Sequence, residues 1–289
     1  MKQIIRWQAA LLILSIGFAT AANAQDRFDG VSIETIPLTG NIYMLVGQGG
    51  NIGVSAGDDG ILMVDGQYAG LADRIRLALT DLGDPDPRFL INTHFHDDHT
   101  NANPEFGPGS VIVAHENVRT RLQDGGMAPE GLPQLTFEDR MTLNFNGERI
   151  ELVHYPRGHT DGDIVIYFTD ANVVHMGDLF FHDRFPFVDL GAGGDVQGHM
   201  DNVTAVLERI DDDTLVIPGH GDAVSNKAEL TEFRDMIHAT SVVVRSMKSE
   251  GMNKEEIVER GLDARWSDWS WGFISEARWI ETIYDSYPE

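Results

Sequence analysis

The chain has 289 residues, with 46 acidic and 21 basic side chains, a formal net charge of −25 and no cysteine. So acidic a protein is repelled by nucleic acid and by anionic membrane surfaces, and we expect neither as a partner. The lack of cysteine excludes disulfides, thiolate metal ligands and a cysteine nucleophile.

The first 24 residues have the pattern of an export signal. Lys2 and Arg6 give a positive start, residues 9–21 are apolar, and residues 22–24 (Ala-Asn-Ala) resemble a cleavage site. The apolar part is too short to span a bilayer comfortably, so we expect no membrane anchor. We predict a mature chain of residues 25–289 in the periplasm of a bacterium, or secreted, and its oligomeric state stays open.

Four strands and a helix are predicted at the start of the mature chain. Glycine-rich stretches at residues 47–50 and 57–60 separate apolar runs, as hairpin turns do. The four runs are residues 31–36, 42–46, 52–56 and 61–65. Apolar side chains then recur at helical spacing between Leu71 and Leu82.

The rest of the chain continues to alternate strands with helices. Six more apolar runs predict strands, at residues 89–92, 111–114, 150–154, 164–168, 173–176 and 215–217. Helical spacing appears at residues 203–210, 230–244 and 280–287, and residues 124–134 are rich in Gly and Pro and predict a surface excursion. This order predicts two sheets packed between helical layers, in a single domain without a linker.

The last part of the chain is rich in tryptophan. Four tryptophans precede or begin the final helix, at Trp266, Trp269, Trp271 and Trp279. We expect them to pack a helical C-terminal tail onto the body of the domain. A ligand-binding aromatic patch is the alternative.

Four side chains that can bind metal lie within six residues, directly after the predicted strand 89–92. They are His94, His96, Asp98 and His99. A regular strand or helix would spread them apart, whereas a tight turn can direct them to one small volume. Neutral imidazole and carboxylate are ligands that divalent zinc or iron prefers, so the cluster predicts a metal site. A polar loop that is rich in histidine by chance is the alternative.

The pattern His-x-His-x-Asp-His after a buried strand resembles the signature of the metallo-β-lactamase superfamily of binuclear hydrolases. Three later motifs follow predicted strands in the order that this family has, at residues 158–160 (Gly-His-Thr), 176–179 (Met-Gly-Asp-Leu) and 218–221 (Pro-Gly-His-Gly). The resemblance covers residues 33–220. It implies a four-layer αββα sandwich.

The same resemblance implies seven metal ligands. His94, His96 and His159 would hold the first metal ion. Asp98, His99 and His220 would hold the second, and Asp178 would bridge the two. Two Zn²⁺ ions are expected, although this ligand set also accepts iron or manganese.

Family resemblance also suggests roles beyond the ligands. A metal-bound hydroxide would attack the carbonyl group of a small-molecule substrate, with Asp98 orienting it and moving its proton. Asp65, at the end of run 61–65, resembles the aspartate that steadies the metal loop by hydrogen bonds; a simple turn residue is the alternative. His182 and His199 could touch substrate or lie exposed in loops, and Phe185, with Phe187, could form an apolar wall or belong to the core.

The substrate is the least determined property. His99 and Asp178 resemble the glyoxalase and lactonase arrangement, whereas residues 158–163 are closer to the β-lactamase pattern. We expect a zinc hydrolase of small cyclic amides or esters, β-lactamase-like, with a lactonase or thioesterase as the alternative. A periplasmic metal-binding accessory protein and a mono-iron dioxygenase stay open as other classes.

Overall fold

The structure is a computed structural model that describes residues 27–287, so the predicted export signal lies outside the described residues. Two β-sheets form its centre. The first has seven strands in chain order: β1 Glu34–Pro37, β2 Ile42–Val46, β3 Ile52–Gly57, β4 Gly60–Val64, β5 Phe89–Ile91, β6 Val111–His115 and β7 Leu135–Phe137. Strands β1 to β4 are antiparallel, and β4 to β7 are parallel.

The second sheet has six strands, in the order β13-β12-β11-β10-β9-β8. They are β8 Arg140–Phe145, β9 Glu148–His154, β10 Ile164–Phe168, β11 Val173–His175, β12 Leu215–Ile217 and β13 Ser225–Asn226. Neighbours are antiparallel except β11 and β12, which are parallel.

Helices cover the outer face of each sheet. They are α1 Ala72–Thr80, α2 Asp97–Thr100, α3 Asn103–Phe106, α4 Glu116–Asp124, α5 Val196–Arg209, α6 Lys227–Ser249, α7 Lys254–Arg260 and α8 Glu276–Ser286. Apolar side chains of α1 share a core with the first sheet, and those of α5, α6 and α8 share a core with the second. The fold is therefore the predicted αββα sandwich. No described helix is long and apolar enough to cross a membrane.

Alternation along the strands explains why the sheets pack on both faces. In β10, Ile164, Ile166 and Phe168 face the core between the sheets, whereas Val165 and Tyr167 face the helices. Strand β4 behaves alike, with Leu62 and Val64 facing inward between the sheets. Strands buried on both faces are apolar throughout, which is why their sequences read as continuous apolar runs.

The sequence-predicted elements agree with the structure, with a few differences at the edges. Strand β1 begins at Glu34 rather than at residue 31. Strands β7, β8 and β13 were not predicted. Edge strand β8 alternates between exposed and partly buried side chains, so its hydrophobic signal is weak, and β13 has only two residues.

The metal-competent loops lie beyond the carboxyl ends of strands. Strands β4 and β5 are parallel neighbours, and β11 and β12 are as well. Because parallel strands end at the same edge of a sheet, the loops that follow the two strands of each pair lie side by side. The crevice outside the carboxyl ends of strands is where α/β sheets place ligands. The fold therefore sets four loops from two sheets around one crevice.

Replacement of Ile166 by Ala tests the core between the sheets. Ile166 is fully buried there, so we expect the free energy of unfolding to fall by about 2–5 kcal/mol, because a cavity remains. Leu77→Ala on α1, where the side chain is 72% exposed, is the matched control and should change stability by less than about 0.5 kcal/mol. Urea unfolding measures both; equal effects would contradict the proposed packing.

His115, at the end of β6, and His154, at the end of β9, form a stacked pair between the two sheets that predicts a pH effect. The rings of His115 and His154 are stacked with centroids 3.7 Å apart, and His115 Nδ1 accepts a hydrogen bond from Asn117 N at the start of α4. Burial, and then the neighbouring His154, lower the pKa of His115 from 6.5 to about 4.

Because the unfolded chain protonates His115 near pH 6.5 and the folded chain only near pH 4, stability should fall as the pH drops through this window. In His115→Gln this part of the fall disappears. Urea unfolding at pH 7.5, 5.5 and 4.5, with chelator present throughout, measures the difference. An identical pH dependence in both proteins would show that His115 does not contribute.

Candidate metal centre

The turn after β5 directs its four metal-competent side chains to one place. The chain bends at residues 93–95, His96 is extended, and α2 begins at Asp97, so Asp98 and His99 project from its first turn. The backbone N–H groups of His99 and Thr100 both donate to His96 O at 3.0 Å, which closes the turn. The change from extended chain to helix is what brings His94 and His96 beside His99.

Asp65 stabilises this turn by hydrogen bonds. Its carboxylate accepts hydrogen bonds from Thr93 N at 2.8 Å, from Thr93 Oγ1 at 2.7 Å and from His99 Nδ1 at 2.7 Å. Asp65 is fully buried and has a positive φ of 63°, a conformation that aspartate tolerates better than most residues. These hydrogen bonds are those expected of the loop-steadying aspartate that the family resemblance implies.

The three remaining candidate ligands come from the second sheet. His159 lies in the loop between β9 and β10, Asp178 in a 3₁₀ turn after β11, and His220 after β12.

Two close approaches to the candidate ligands require glycine. A Cβ at Gly50 would lie 2.1 Å from His99 Cε1, and a Cβ at Gly219 would lie 2.2 Å from Asp178 Oδ1.

All seven sequence-predicted ligands meet in one cluster. Within each of three groups, the candidate ligand atoms lie within 4.8 Å of one another: His94, His96 and His159; His94, His99 and Asp178; and Asp98, His99 and His220. Each group is able to hold a metal ion.

Asp178 lies between the histidine trio His94, His96 and His159 and the pair His99 and His220. Its Oδ2 is 3.5 Å from His159 Nε2 and 3.9 Å from His94 Nε2 on one side. On the other, Oδ1 is 3.1 Å from His99 Nε2 and Oδ2 is 3.3 Å from His220 Nε2. One carboxylate therefore reaches both ends of the cluster.

Hydrogen bonds at the outer nitrogens fix how the imidazoles are turned. His159 Nδ1 donates to Phe187 O at 2.7 Å, and His99 Nδ1 donates to Asp65. His94 Nδ1 lies 3.1 Å from Thr93 Oγ1, which itself donates to Asp65. Since the proton sits on the outer nitrogen, the inner nitrogen is left with a lone pair that faces the cluster.

His96 is turned the opposite way. Its Nε2 lies 3.0 Å from Asp189 Oδ2, so its Nδ1 faces the cluster, 2.9 Å from His159 Nε2. Sequence reasoning missed Asp189. It lies 30 residues beyond His159 in a loop without a motif, and only the fold brings it to His96.

Buried polar atoms at the cluster centre lack hydrogen-bond partners. His94 Nε2, His99 Nε2 and Asp178 Oδ1 are all buried, and none of them has a hydrogen-bond partner. The 3.1 Å contact between His99 Nε2 and Asp178 Oδ1 does not have the geometry of a hydrogen bond. Leaving such atoms unpaired is costly. Imidazole nitrogens and a carboxylate that converge in this way fit divalent cations, which would satisfy all of them.

Electrostatics in the cluster separate the imidazoles into two classes. Burial lowers the pKa of His94, and lowers that of His159 to about 3. Burial opposes charge on His99 and His220 too, but the carboxylates of Asp178 and its neighbours outweigh it, raising the pKa of His220 to about 9 and that of His99 strongly. The imidazoles around Asp178 in turn overcome its burial and hold its pKa well below 3.8.

An open cleft of about 790 Å³ lies over the cluster. His96, Asp98, Asp178 and His220 form its floor. The short hairpin at residues 47–51 borders one side, and aromatic residues that include Phe187 and Trp271 border the other. A small molecule in the cleft would touch the candidate ligands directly.

None of the three predicted substrate contacts lines the cleft. Phe185 and His199 have no exposed surface, and both belong to the helical side of the second sheet. This corrects the expectation that they border the cleft: Phe185 stacks on Trp279, and His199 Nε2 donates to Leu179 O at 3.1 Å. His182 Nε2 faces Glu229 Oε2 at 3.3 Å.

The cleft has other residues that sequence reasoning did not assign to it. Arg27, Tyr68 and Phe273 line it, and none belongs to a motif. The tryptophans divide: Trp269 and Trp279 are buried in the core as predicted, whereas Trp271 is only half-buried and lines the cleft. The alternative of a ligand-binding aromatic patch therefore applies to Trp271.

Known proteins resemble this chain over the region that builds the cluster. A family model described as the metallo-beta-lactamase superfamily matches residues 37–220. The 2,4-dinitroanisole O-demethylase subunit alpha of a Nocardioides species is 28% identical over 156 residues, 52% of this chain and 47% of that protein. A hydroxyacylglutathione hydrolase of Anaeromyxobacter dehalogenans is 28% identical over 166 residues, 52% of this chain and 59% of that protein. The chain thus spans less than two thirds of either relative.

Among solved structures, a metallo-beta-lactamase from Pontibacter korlensis shares the fold. It superposes with a TM-score of 0.62 at 15% sequence identity and covers 72% of this chain and 99% of its own. At that identity the likeness concerns the fold alone.

Asp189→Ala tests whether His96 is held for metal binding. The variant removes the acceptor at His96 Nε2, and we expect metal affinity to fall by about 10–100-fold while the fold persists. Competition with a chromogenic chelator measures the affinity. Asp183→Ala, an exposed carboxylate in the same loop, is the control and should bind metal like the unchanged protein. Equal affinities in all three proteins would remove the role given to Asp189.

Proposed function

The chain belongs to the metallo-β-lactamase superfamily of hydrolases, and from this premise we propose that it is a zinc-dependent hydrolase of small cyclic amides or esters. The observation that carries the proposal is the position of Asp178 between a trio and a pair of histidines on the floor of an open cleft. Such a centre accounts for the seven converging side chains. A purely structural polar cluster would not leave three buried atoms without partners.

We assign His94, His96 and His159 to one metal ion and Asp98, His99 and His220 to the other, with Asp178 shared. Zinc is favoured because its ligands are imidazole and carboxylate and no residue of the cluster suggests redox chemistry; iron and manganese accept the same donors. When bound, such ions ionise water near neutral pH and polarise a carbonyl group.

Asp98 is the proposed catalytic side chain. Its Oδ2 lies 3.3 Å from His220 Nε2 and faces the cleft. Burial would raise its pKa, but His99 and His220 overcome this and lower the pKa to about 2, so the carboxylate is ionised at neutral pH. It can therefore orient the attacking water, accept its proton and return that proton to the leaving nitrogen or oxygen as the ring opens.

The rest of the cleft supports a small substrate. The hairpin at residues 47–51 is too short to form a flap, and it leaves the floor accessible from solvent. Gly50 N donates to Asp98 O at 3.0 Å, which holds this hairpin against the proposed catalytic residue. We further propose that the mature chain, residues 25–289, is a single domain exported to the periplasm, where β-lactams and lactones are encountered.

A lactonase or thioesterase of the same fold is the second candidate. The likeness to a hydroxyacylglutathione hydrolase and the pair His99 and Asp178 favour it. Glutathione thioesters are cytosolic, so an exported enzyme would meet few of them.

A substrate screen separates these candidates. Zinc-loaded residues 25–289 would be tested on a β-lactam, a homoserine lactone, a thioester and a phosphodiester, with and without chelator. We expect hydrolysis of the lactam or the lactone, abolished by chelator. No hydrolysis of any compound, with metal fully bound, would favour a metal-binding accessory protein, and a single bound iron would favour a dioxygenase.

Asp98→Ala tests the proposed proton transfer. We expect kcat/KM to fall by at least about 100-fold, since positioned general bases contribute about 10²–10⁴-fold, while circular dichroism shows the fold retained. Asp73→Ala, a fully exposed carboxylate on α1, is the control and should keep full activity. Retained turnover in Asp98→Ala would contradict the mechanism.

A further inference from the structure

One side of the cleft is built from aromatic rings in a continuous row. We call Phe181, Phe187, Trp271 and Phe273 the aromatic wall; all four line the cleft. Ring centroids are 5.3 Å apart for Phe187 and Phe273, 5.7 Å for Phe273 and Trp271, and 6.1 Å for Trp271 and Phe181. Each neighbouring pair is within the range of favourable aromatic contact.

Both ends of the aromatic wall touch the candidate metal centre. The Phe187 ring lies 5.6 Å from those of His96 and His159, and the Phe181 ring stacks on that of His220 at 5.2 Å. A ring that packs on the wall therefore sits beside both candidate metal sites. This distance suits a substrate whose aromatic group is close to the bond that is broken.

Hydrogen bonds and a guanidinium hold the aromatic wall in place. Trp271 Nε1 donates to Phe185 O at 2.9 Å, and Phe185 N donates to Trp269 O at 2.8 Å, so the tail is tied to the loop that carries Phe187. Arg278 donates to Phe273 O at 3.0 Å, and its guanidinium lies 4.4 Å from the centre of that ring. The wall is thus preformed, which lowers the entropic cost of binding.

Core packing does not account for the outer part of the wall. Phe273 is 48% exposed, and Trp271 and Phe187 are only half-buried. The wall also draws two of its four rings from the tail beyond residue 220, where the match to the family model ends. The side chains that remain exposed to the cleft are available to a ligand, and two of them, Trp271 and Phe273, belong to the part of the chain outside that match.

The opposite side of the cleft offers mostly backbone and polar groups. Gly47, Gln48, Gly49 and Asn51 of the hairpin line the cleft there, with Tyr68 beside Gly49. The aromatic wall is the continuous row of rings in the cleft lining, so an apolar group is desolvated most fully against it. A flat ring stacked there can keep its polar substituents directed to the hairpin.

From these contacts we infer that the aromatic wall binds an aryl group of the substrate, so that aryl-bearing cyclic amides or esters are preferred over unsubstituted ones. The statement that the aryl compound is a substrate rests on the proposed hydrolytic function. The statement that its aryl group is bound rests on the aromatic wall alone. Hydrolysis and aryl binding can therefore be tested separately.

Matched ligands test the aryl preference. Benzylpenicillin carries a phenylacetyl group on the ring system of 6-aminopenicillanic acid, which lacks it. Isothermal titration of chelator-treated protein measures binding without turnover. We expect benzylpenicillin to bind about tenfold more tightly, a difference that one or two aromatic contacts supply.

Phe273→Ala is the decisive variant, because its exposed ring can be removed with little effect on folding. It should bring the ratio of the two affinities to within about threefold and leave the affinity for 6-aminopenicillanic acid unchanged. Leu190→Ala, which removes an exposed apolar side chain away from the cleft, is the control and should keep the full ratio. Trp271→Ala should behave like Phe273→Ala and guards against an effect peculiar to one position.

The outcomes distinguish this inference from the proposed function. Equal affinities in the unchanged protein, no binding of either compound, or an unaltered ratio in both Phe273→Ala and Trp271→Ala would overturn the aryl preference. Aryl-dependent binding without hydrolysis of either compound by zinc-loaded protein would uphold the preference and count against lactam hydrolysis. Hydrolysis of both compounds with equal kcat/KM and equal affinity would support lactam hydrolysis and contradict the aryl preference.

Discussion

The arrangement of the centre depends on one buried anion, the carboxylate of Asp178. It lies within 3.1–3.9 Å of four imidazole nitrogens, those of His94, His99, His159 and His220. A carboxylate removed from water has to be compensated by positive charge or hydrogen bonds. Bonds at the outer nitrogens of His94, His99 and His159 fix how these rings are turned. Their inner nitrogens and the carboxylate therefore suit a cation held between them rather than one another. The orientation of the imidazoles at the centre is therefore fixed by hydrogen bonds to residues around it.

The two sheets hold each other in register at this point. Asn51, on the first sheet, donates its side-chain amide to Pro218 O at 3.0 Å and to Gly221 O at 2.8 Å, on either side of His220. His175 Nε2 in turn donates to Asn51 O at 3.0 Å. These buried bonds connect loops more than 120 residues apart in the chain. Small errors in how the sheets pack would displace His220 from Asp98, so the inter-sheet core and the centre depend on each other.

Different parts of the chain build different parts of the cleft. The region matched by the family model, residues 37–220, provides every candidate ligand and the hairpin side. The tail adds Trp271 and Phe273. Two rings of the aromatic wall, Phe181 and Phe187, lie in the matched region with the candidate ligands, and the other two lie in the tail, where they can change without disturbing the ligands. The exposed ring of Phe273 lies where such a change alters recognition most directly.

The sequence by itself determined two sheets between helical layers and the group His94, His96, Asp98 and His99, because buried strands are apolar throughout and so dense a group of metal-competent side chains is rare. The αββα sandwich and the ligands His159, Asp178 and His220 were implied by the resemblance to the family. Only the tertiary structure decided that Asp189 supports His96, that Phe185 and His199 are buried, and that Trp271 and Phe273 reach the cleft. These residues belong to loops and to the tail, where no periodic pattern or motif indicates direction. Their neighbours are set by how two sheets and the last helix pack, and a contact between residues 96 and 189 or 220 and 271 leaves no local signal in the chain.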